Sequence, residues 1–151
     1  MMEISSEQLG RLAKSTIAKG SVYRLKLTEA EGVKPKNAGD DSRNKFFIVM
    51  GTAEDGTVIG FVLINSSVNA HIPQRLRSLH YLLRAEDYPF LIVDRYACCG
   101  ELKTIDTTEF FSRFKDDAVG QISEEHLDVI SSLLASSDDV PAELLRIFDI
   151  I

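Results

Sequence analysis

A β-hairpin is predicted by residues 45–67, which read KFFIVMGTAEDGTVIGFVLINSS. Two apolar runs of strand length, Phe46–Met50 and Val58–Ile64, flank a short polar segment. That segment contains Asp55 and Gly56, a pair typical of tight hairpin turns because glycine adopts positive φ angles without steric cost. Because both runs are almost entirely apolar, we expect two buried antiparallel strands at the centre of the fold.

Further strands and helices are predicted on both sides of this hairpin. Residues 21–28 alternate between apolar and polar side chains, which is typical of a half-buried strand. After the hairpin, the hydrophobic pattern and the capping residues predict a helix, two strands and three more helices. These six elements are expected at residues 73–83, 88–93, 96–105, 106–114, 123–135 and 141–148.

The chain of 151 residues has the length of one domain. We predict an α+β fold, with an N-terminal helix at about 5–19, a small antiparallel β-barrel at about 20–105 and C-terminal helices at about 106–151. No apolar run reaches 18 residues and the N-terminus has no apolar signal segment, so we expect a cytoplasmic protein without a membrane partner. The adjacent Cys98 and Cys99 are expected to be reduced thiols in a strand.

Charge is distributed unevenly along the chain. The formal net charge is −6, which argues against extensive contact with nucleic acid. Residues 18–50 nevertheless hold seven Lys and Arg against four acids, a local net charge of +3. Residues 109–151 hold three Lys and Arg against ten acids, a local net charge of −7. A basic front end of this kind permits an anion-binding site on an acidic protein.

A candidate phosphate site is predicted where the two outer ends of the hairpin meet. Arg43 and Lys45 lead into the first strand, and Asn65, Ser66 and Ser67 follow the second. Those ends are spatial neighbours in an antiparallel hairpin. Cations beside hydroxyl and amide groups can hold a phosphate and stabilise the charge that develops on it. Alternatively, these polar residues are simply the solvated ends of two strands.

Three more residues are candidates for contact with a substrate. Lys34 and Lys36 lie in the long polar segment 29–44, and His71 follows the hairpin closely enough to reach its end. Histidine is also a candidate general acid or base near neutral pH. His80 and His126 are expected on helices as ordinary core or surface residues. No phosphate-binding loop, nucleophile elbow or zinc-ligand spacing occurs, so we expect no metal and no cofactor.

The order of these elements resembles the PemK/MazF family of toxin endoribonucleases. The resemblance is carried by residues 20–23, 43–50, 62–67 and 119–122 and extends over about residues 19–135. It implies an SH3-like β-barrel decorated with helices. It also implies metal-independent cleavage of single-stranded RNA, in which the 2′-hydroxyl attacks and leaves a cyclic phosphate. A homodimer and a small antitoxin protein are the partners implied.

The resemblance also assigns roles to particular residues. Lys45 stands where the family has a catalytic arginine, with Arg43 as a substitute two residues earlier, and Ser66 or Ser67 stands where the family has a hydroxyl residue. The family's arginine is followed by proline, whereas Phe46 follows Lys45 here. Lysine offers phosphate a point charge rather than a planar fork. The alternative function is therefore a non-catalytic module that binds protein or nucleic acid on the same barrel.

Overall fold

The structure, a computed structural model, describes residues 8, 17–28, 42–66, 71–113 and 118–151. Within these ranges the strands belong to one seven-stranded sheet. The strands are β1 (Ser21–Thr28), β2 (Ser42–Thr52), β3 (Val58–Asn65), β4 (His80–Leu83), β5 (Arg95–Cys98), β6 (Lys103–Asp106) and β7 (Gly120–Gln121). The helices are α1 (Gln74–Arg77), α2 (Thr107–Arg113), α3 (Glu124–Ser136) and α4 (Ala142–Ile147).

The sheet is antiparallel and is centred on β3. Its order is β4-β5-β3-β2-β1-β7, and β6 pairs with β3 alongside β5. On one side β3 pairs with β2, and on the other side its first half pairs with β6 and its end with β5. The sheet curls into a half-barrel, so the predicted α+β class and antiparallel sheet are confirmed at this level.

The predicted hairpin is confirmed as β2 and β3. The turn is closed by the Gly56 N–H, which donates to the Ala53 carbonyl at 2.8 Å, and Gly56 has a φ of +74°. The pairing shifts register between Val49 and Gly51, so that a bulge interrupts β2 near the turn. This bulge increases the local twist of the two strands, as expected in a curled sheet.

Apolar side chains are buried on both faces of the central strands, which explains why the two hairpin runs are nearly continuous in hydrophobicity. One face packs against α3 and α4, and the other packs against Phe110 of α2. The first core includes Val22, Ile48, Met50, Val62, Ile64, Leu127, Ile130, Leu134, Leu145 and Phe148. The second core includes Ile17, Tyr23, Phe47, Val49, Ile59, Phe61, Leu63, Ile105 and Phe110.

The predicted helix after Ser123 is confirmed as α3. The Ser123 hydroxyl caps it by accepting a hydrogen bond from the backbone N–H of His126 at 3.3 Å. The Tyr88 hydroxyl accepts from the backbone N–H of Ser123 at 3.2 Å and is hydrogen-bonded to His126 Nδ1. His126 is therefore part of a half-buried network that fixes the start of α3 on the sheet.

Three predictions downstream of the hairpin are wrong in part or in whole. The strand expected at 88–93 is absent, and residues 84–94 form turns in which Tyr88 and Leu91 are buried while Ile92 is 93% exposed. The helix expected at 73–83 ends at Arg77, and His80 lies in β4 instead of on a helix. The strand expected at 96–105 is divided into β5 and β6 by a turn at residues 99–100.

The remaining predictions concern the two ends of the chain and the long polar segment. The helix expected at 141–148 is confirmed as α4, and Leu145 and Phe148 are buried, although Ile147 and Ile151 are exposed. The N-terminal helix expected at 5–19 and most of segment 29–44 lie outside the described residues. Within the described ranges, no helix has the length and apolarity that a membrane crossing requires.

Candidate functional site

The two outer ends of the hairpin meet, as predicted, through a direct hydrogen bond. Phe46 pairs with Ile64 in the β2–β3 register, which places Lys45 opposite Asn65. The Lys45 ammonium Nζ donates to the Asn65 side-chain oxygen Oδ1 at 2.8 Å. Both side chains are half-buried, so this amide holds the ammonium in a defined position at the end of the sheet.

The other predicted site residues are placed less completely. Ser66 directly follows Asn65 at the end of β3 and is exposed. Arg43 lies in β2 opposite Leu27 of β1, but its side chain is outside the described part of the structure. His71 is exposed and lies in a turn just before α1. Three predicted residues, Lys34, Lys36 and Ser67, fall outside the described ranges.

A cleft of about 290 Å³ opens beside Asn65. It lies between the end of β3, strands β4 and β5, and the segment around α1. The residues that line it are Asn65, Ile72, Leu76, His80, Cys98, Gly100, Glu101 and Asp139. A larger open groove of about 1060 Å³ lies at the opposite end of the hairpin, between its turn and α4. Of these two cavities, the cleft at Asn65 lies next to the predicted site.

The charged groups in the cleft at Asn65 are already paired. Glu101 accepts from Lys103 Nζ at 3.0 Å, and Asp139 lies 3.8 Å from a guanidinium nitrogen of Arg75. His80 Nδ1 lies 2.9 Å from the Leu76 carbonyl oxygen, which orients the imidazole ring. Pairing of both carboxylates lowers the negative charge that an anionic ligand would meet there.

Neither cysteine has the properties of an activated nucleophile. Burial raises the pKa of the Cys98 thiol, which lines the cleft. Burial raises the pKa of Cys99 to about 12, and the neighbouring Cys98 adds to the shift. Both are free thiols, as predicted, but the predicted strand ends at Cys98 and Cys99 lies in the following turn. Protonated thiols of this kind are weak nucleophiles near neutral pH.

A second cationic cluster was not predicted from the sequence. The guanidinium carbons of Arg24 and Arg95 lie 5.7 Å and 5.8 Å from the centroid of the Phe46 ring. Phe46 also makes an edge contact with Phe90, with 5.7 Å between ring centroids. Cross-strand pairing explains the contact with Arg24, which lies directly opposite Phe46. We call Arg24, Phe46 and Arg95 the arginine cluster.

The arginine cluster could be predicted only by knowing the register of four paired strands. Arg24 in β1, Phe46 in β2, Ile64 in β3 and Ala97 in β5 form one row across the sheet. Arg95 lies two residues before Ala97 in the same strand and therefore on the same face. The pairing of β5 with β3 brings together residues far apart in sequence, and no local pattern reveals it.

Within the described ranges, no group of three or more His, Cys, Asp or Glu side chains is arranged to hold a metal ion. No protein-family model matches this chain, and no curated protein matches it in sequence.

Proposed function

We propose that this protein is an endoribonuclease of the PemK/MazF type that cleaves single-stranded RNA without a metal ion. The observation that carries the proposal is the hydrogen bond of 2.8 Å between Lys45 Nζ and Asn65 Oδ1. It holds an ammonium group at the end of the hairpin, and the resemblance expects the catalytic cation at Lys45. The antiparallel half-barrel sheet is compatible with the SH3-like barrel of that family.

In the proposed reaction, residues at this end of the sheet would stabilise the charge that develops on the RNA phosphate. The 2′-oxygen of the RNA attacks the adjacent phosphorus, and the bond from phosphorus to the 5′-oxygen breaks. The products are a 2′,3′-cyclic phosphate and a 5′-hydroxyl, so one proton leaves the 2′-hydroxyl and one is delivered to the 5′-oxygen. Negative charge accumulates on the non-bridging oxygens, where Lys45 and Arg43 would stabilise it.

Other residues would position the substrate in this scheme. The hydroxyl of Ser66 or Ser67 would donate to a phosphate oxygen, and Asn65 would keep the Lys45 ammonium in place. His71 is exposed beside the start of α1 and would serve as general acid or base. Lys34 and Lys36 would contact neighbouring phosphates of the RNA.

The partners follow from the same proposal. A toxin endoribonuclease of this type is a cytoplasmic homodimer that a small antitoxin protein inhibits. The basic front end of the sequence has a net charge of +3 and the acidic C-terminal part has −7, so the front end is the part of the chain whose charge favours RNA. Size-exclusion chromatography with light scattering tests the homodimer directly.

One observation favours a second function, a non-catalytic module that binds nucleic acid or protein on the same half-barrel. The Lys45 ammonium donates a hydrogen bond to the Asn65 side-chain amide within the sheet. At this position the family has an arginine, which offers a planar fork of donors. In this alternative the hydrogen bond only fixes the end of the hairpin, and Lys45→Ala leaves ligand binding unchanged.

Cleavage of a long single-stranded RNA in EDTA, with no added metal, tests the proposal. Wild-type protein should cut the RNA, and Lys45→Ala should slow cleavage by about 100-fold or more, the effect of losing one charge-stabilising group. Lys19→Ala is the matched control, because it removes the same charge from an exposed turn. Equal activity of both variants would exclude Lys45 from the mechanism, and intact RNA with wild-type protein would favour the binding module.

A further inference from the structure

The arginine cluster concentrates two positive charges on one aromatic ring. Because both distances are measured to the Phe46 centroid, the two guanidinium carbons are no farther apart than the sum of 5.7 Å and 5.8 Å. A ring face attracts a cation through its quadrupole, but a ring carries no net charge. Phe46 therefore gives each guanidinium group an attractive contact but no neutralising charge.

No carboxylate neutralises this pair within the described part of the chain. The salt bridges found there join Arg75 to Asp139, Arg84 to Glu86 and Lys103 to Glu101, and none includes Arg24 or Arg95. The Arg95 Nε atom is moreover buried without a hydrogen-bond partner. Buried donors in folded proteins almost always have a partner, so an unpartnered guanidinium nitrogen indicates a missing acceptor.

The cluster remains accessible to a ligand from solvent. Arg24 is exposed, and Phe46 and Arg95 are only half-buried. Arg95 begins β5 at the level where β3 has just ended, because Tyr96 pairs with Asn65, the last residue of β3. Arg95 therefore lies beside the end of β3, and its partner in the sheet is Leu83 of β4 on its other side.

We propose that Arg24 and Arg95 form a binding site for a phosphate group, with Phe46 holding the two guanidinium groups in position. Phosphate oxygens accept hydrogen bonds from the planar fork of N–H donors that each guanidinium group presents. Lys45 precedes Phe46 in the same strand, so its side chain leaves the opposite face of the sheet. The site is therefore separate from Lys45 and does not rest on the proposed nuclease activity.

The phosphate could belong to a nucleic-acid strand or to a small phosphorylated molecule, and two titrations distinguish these sources. Fluorescence anisotropy of a labelled single-stranded DNA dodecamer measures binding without cleavage, because DNA lacks the 2′-hydroxyl. Inorganic phosphate is titrated separately and followed by NMR at the arginine Nε–H signals. Tighter binding of the dodecamer than of inorganic phosphate identifies a strand, and the reverse identifies a small phosphate.

Glutamine variants supply the test. Arg24→Gln and Arg95→Gln should each weaken binding of the tighter ligand by about 10-fold, and for the dodecamer each should lower the salt dependence by about one counterion. Arg84→Gln is the matched control, because Arg84 is exposed and already pairs with Glu86 at 3.3 Å. Equal loss in all three variants would overturn the proposal, as would unchanged binding in the Arg24→Gln/Arg95→Gln double variant.

A measurement on the unmodified protein covers the case in which a variant fails to fold. The Arg95 Nε–H signal should shift on addition of phosphate or the dodecamer, because an anion bound to the guanidinium group changes the electrostatic environment of this proton. A shift confined to Arg24 and Arg95 supports the site. Absence of any shift in these two signals at millimolar phosphate and at saturating dodecamer would overturn it.

Discussion

The aromatic ring of Phe148, just after α4, lies directly on the backbone of Gly60 in β3. A Cβ atom at Gly60 would come within 2.8 Å of Phe148 Cδ2 and within 2.9 Å of its Cγ. Gly51, which pairs with Gly60 across the hairpin, is equally close to the Phe148 carbonyl oxygen, at 2.9 Å from the same hypothetical atom. The absence of side chains at Gly51 and Gly60 therefore leaves the space in which Phe148 packs against the hairpin.

Gly60→Ala is expected to destabilise the protein by about 1–3 kcal/mol, because the added methyl group overlaps the buried ring. Gly100→Ala is the matched control, since its Cβ would meet Leu79 at an ordinary 3.6 Å. Urea unfolding followed by circular dichroism measures both. Addition of Phe148→Leu to Gly60→Ala should cost less than the two separate effects combined, and strict additivity would contradict the contact.

The central hairpin and α3 were predictable because local signals agree there. Two apolar runs with Asp55-Gly56 between them specify β2 and β3, and Ser123 before an amphipathic segment specifies α3. The region around Tyr88 was not predictable. Its apolar residues resemble a strand, but the Tyr88 hydroxyl binds the start of α3 instead, which is a tertiary contact.

Lys45 and Asn65 should be energetically coupled. A double-mutant cycle with Lys45→Met and Asn65→Leu is expected to give a coupling of about 1–2 kcal/mol, because the hydrogen bond is charge-assisted and half-buried. The exposed pair Arg84 and Glu86 should give less than about 0.5 kcal/mol in the same measurement. Equal coupling in the two pairs would mean that Asn65 does not hold the ammonium.

Stability should fall in alkaline solution through Cys99. Its pKa is raised to about 12 in the folded protein, so the folded state keeps a proton that the unfolded state releases above about pH 9. The contribution of the Cys99 thiol to the free energy of unfolding is therefore complete below about pH 9. It is lost between about pH 9 and 12, by about 1.4 kcal/mol per pH unit. Urea unfolding at pH 8, 9 and 10 should show a shallower decline in Cys99→Ala. If the free energy of unfolding falls equally with pH in wild-type protein and in Cys99→Ala, Cys99 is not the cause of the decline.

Ser123→Ala should destabilise the start of α3. The hydroxyl caps the backbone N–H of His126, and loss of such a cap costs about 1 kcal/mol. Ser132→Ala, on the exposed side of the same helix, should change stability by less than about 0.5 kcal/mol. Thermal unfolding of the two variants decides this, and a smaller effect at Ser123 than at Ser132 would contradict the cap.

The candidate sites differ in how far the sequence predicts them. The contact of Lys45 with Asn65 follows from hairpin geometry alone, because the residues flank two adjacent strands. The arginine cluster depends instead on the pairing of β5 with β3, which places Arg95 beside Phe46. That pairing is set by packing across the sheet, where single-sequence periodicity carries no information on which strands are neighbours.

The nature of the attacking group tests the proposed function most directly. A short single-stranded RNA that the protein cuts is compared, in EDTA, with the same RNA carrying one 2′-deoxynucleotide at the cut position. We predict a 2′,3′-cyclic phosphate product from the first and no cut at that position in the second, with Lys45→Ala slowing the first reaction. Cleavage of the deoxy-substituted position, or failure to cut any single-stranded RNA, would contradict the account.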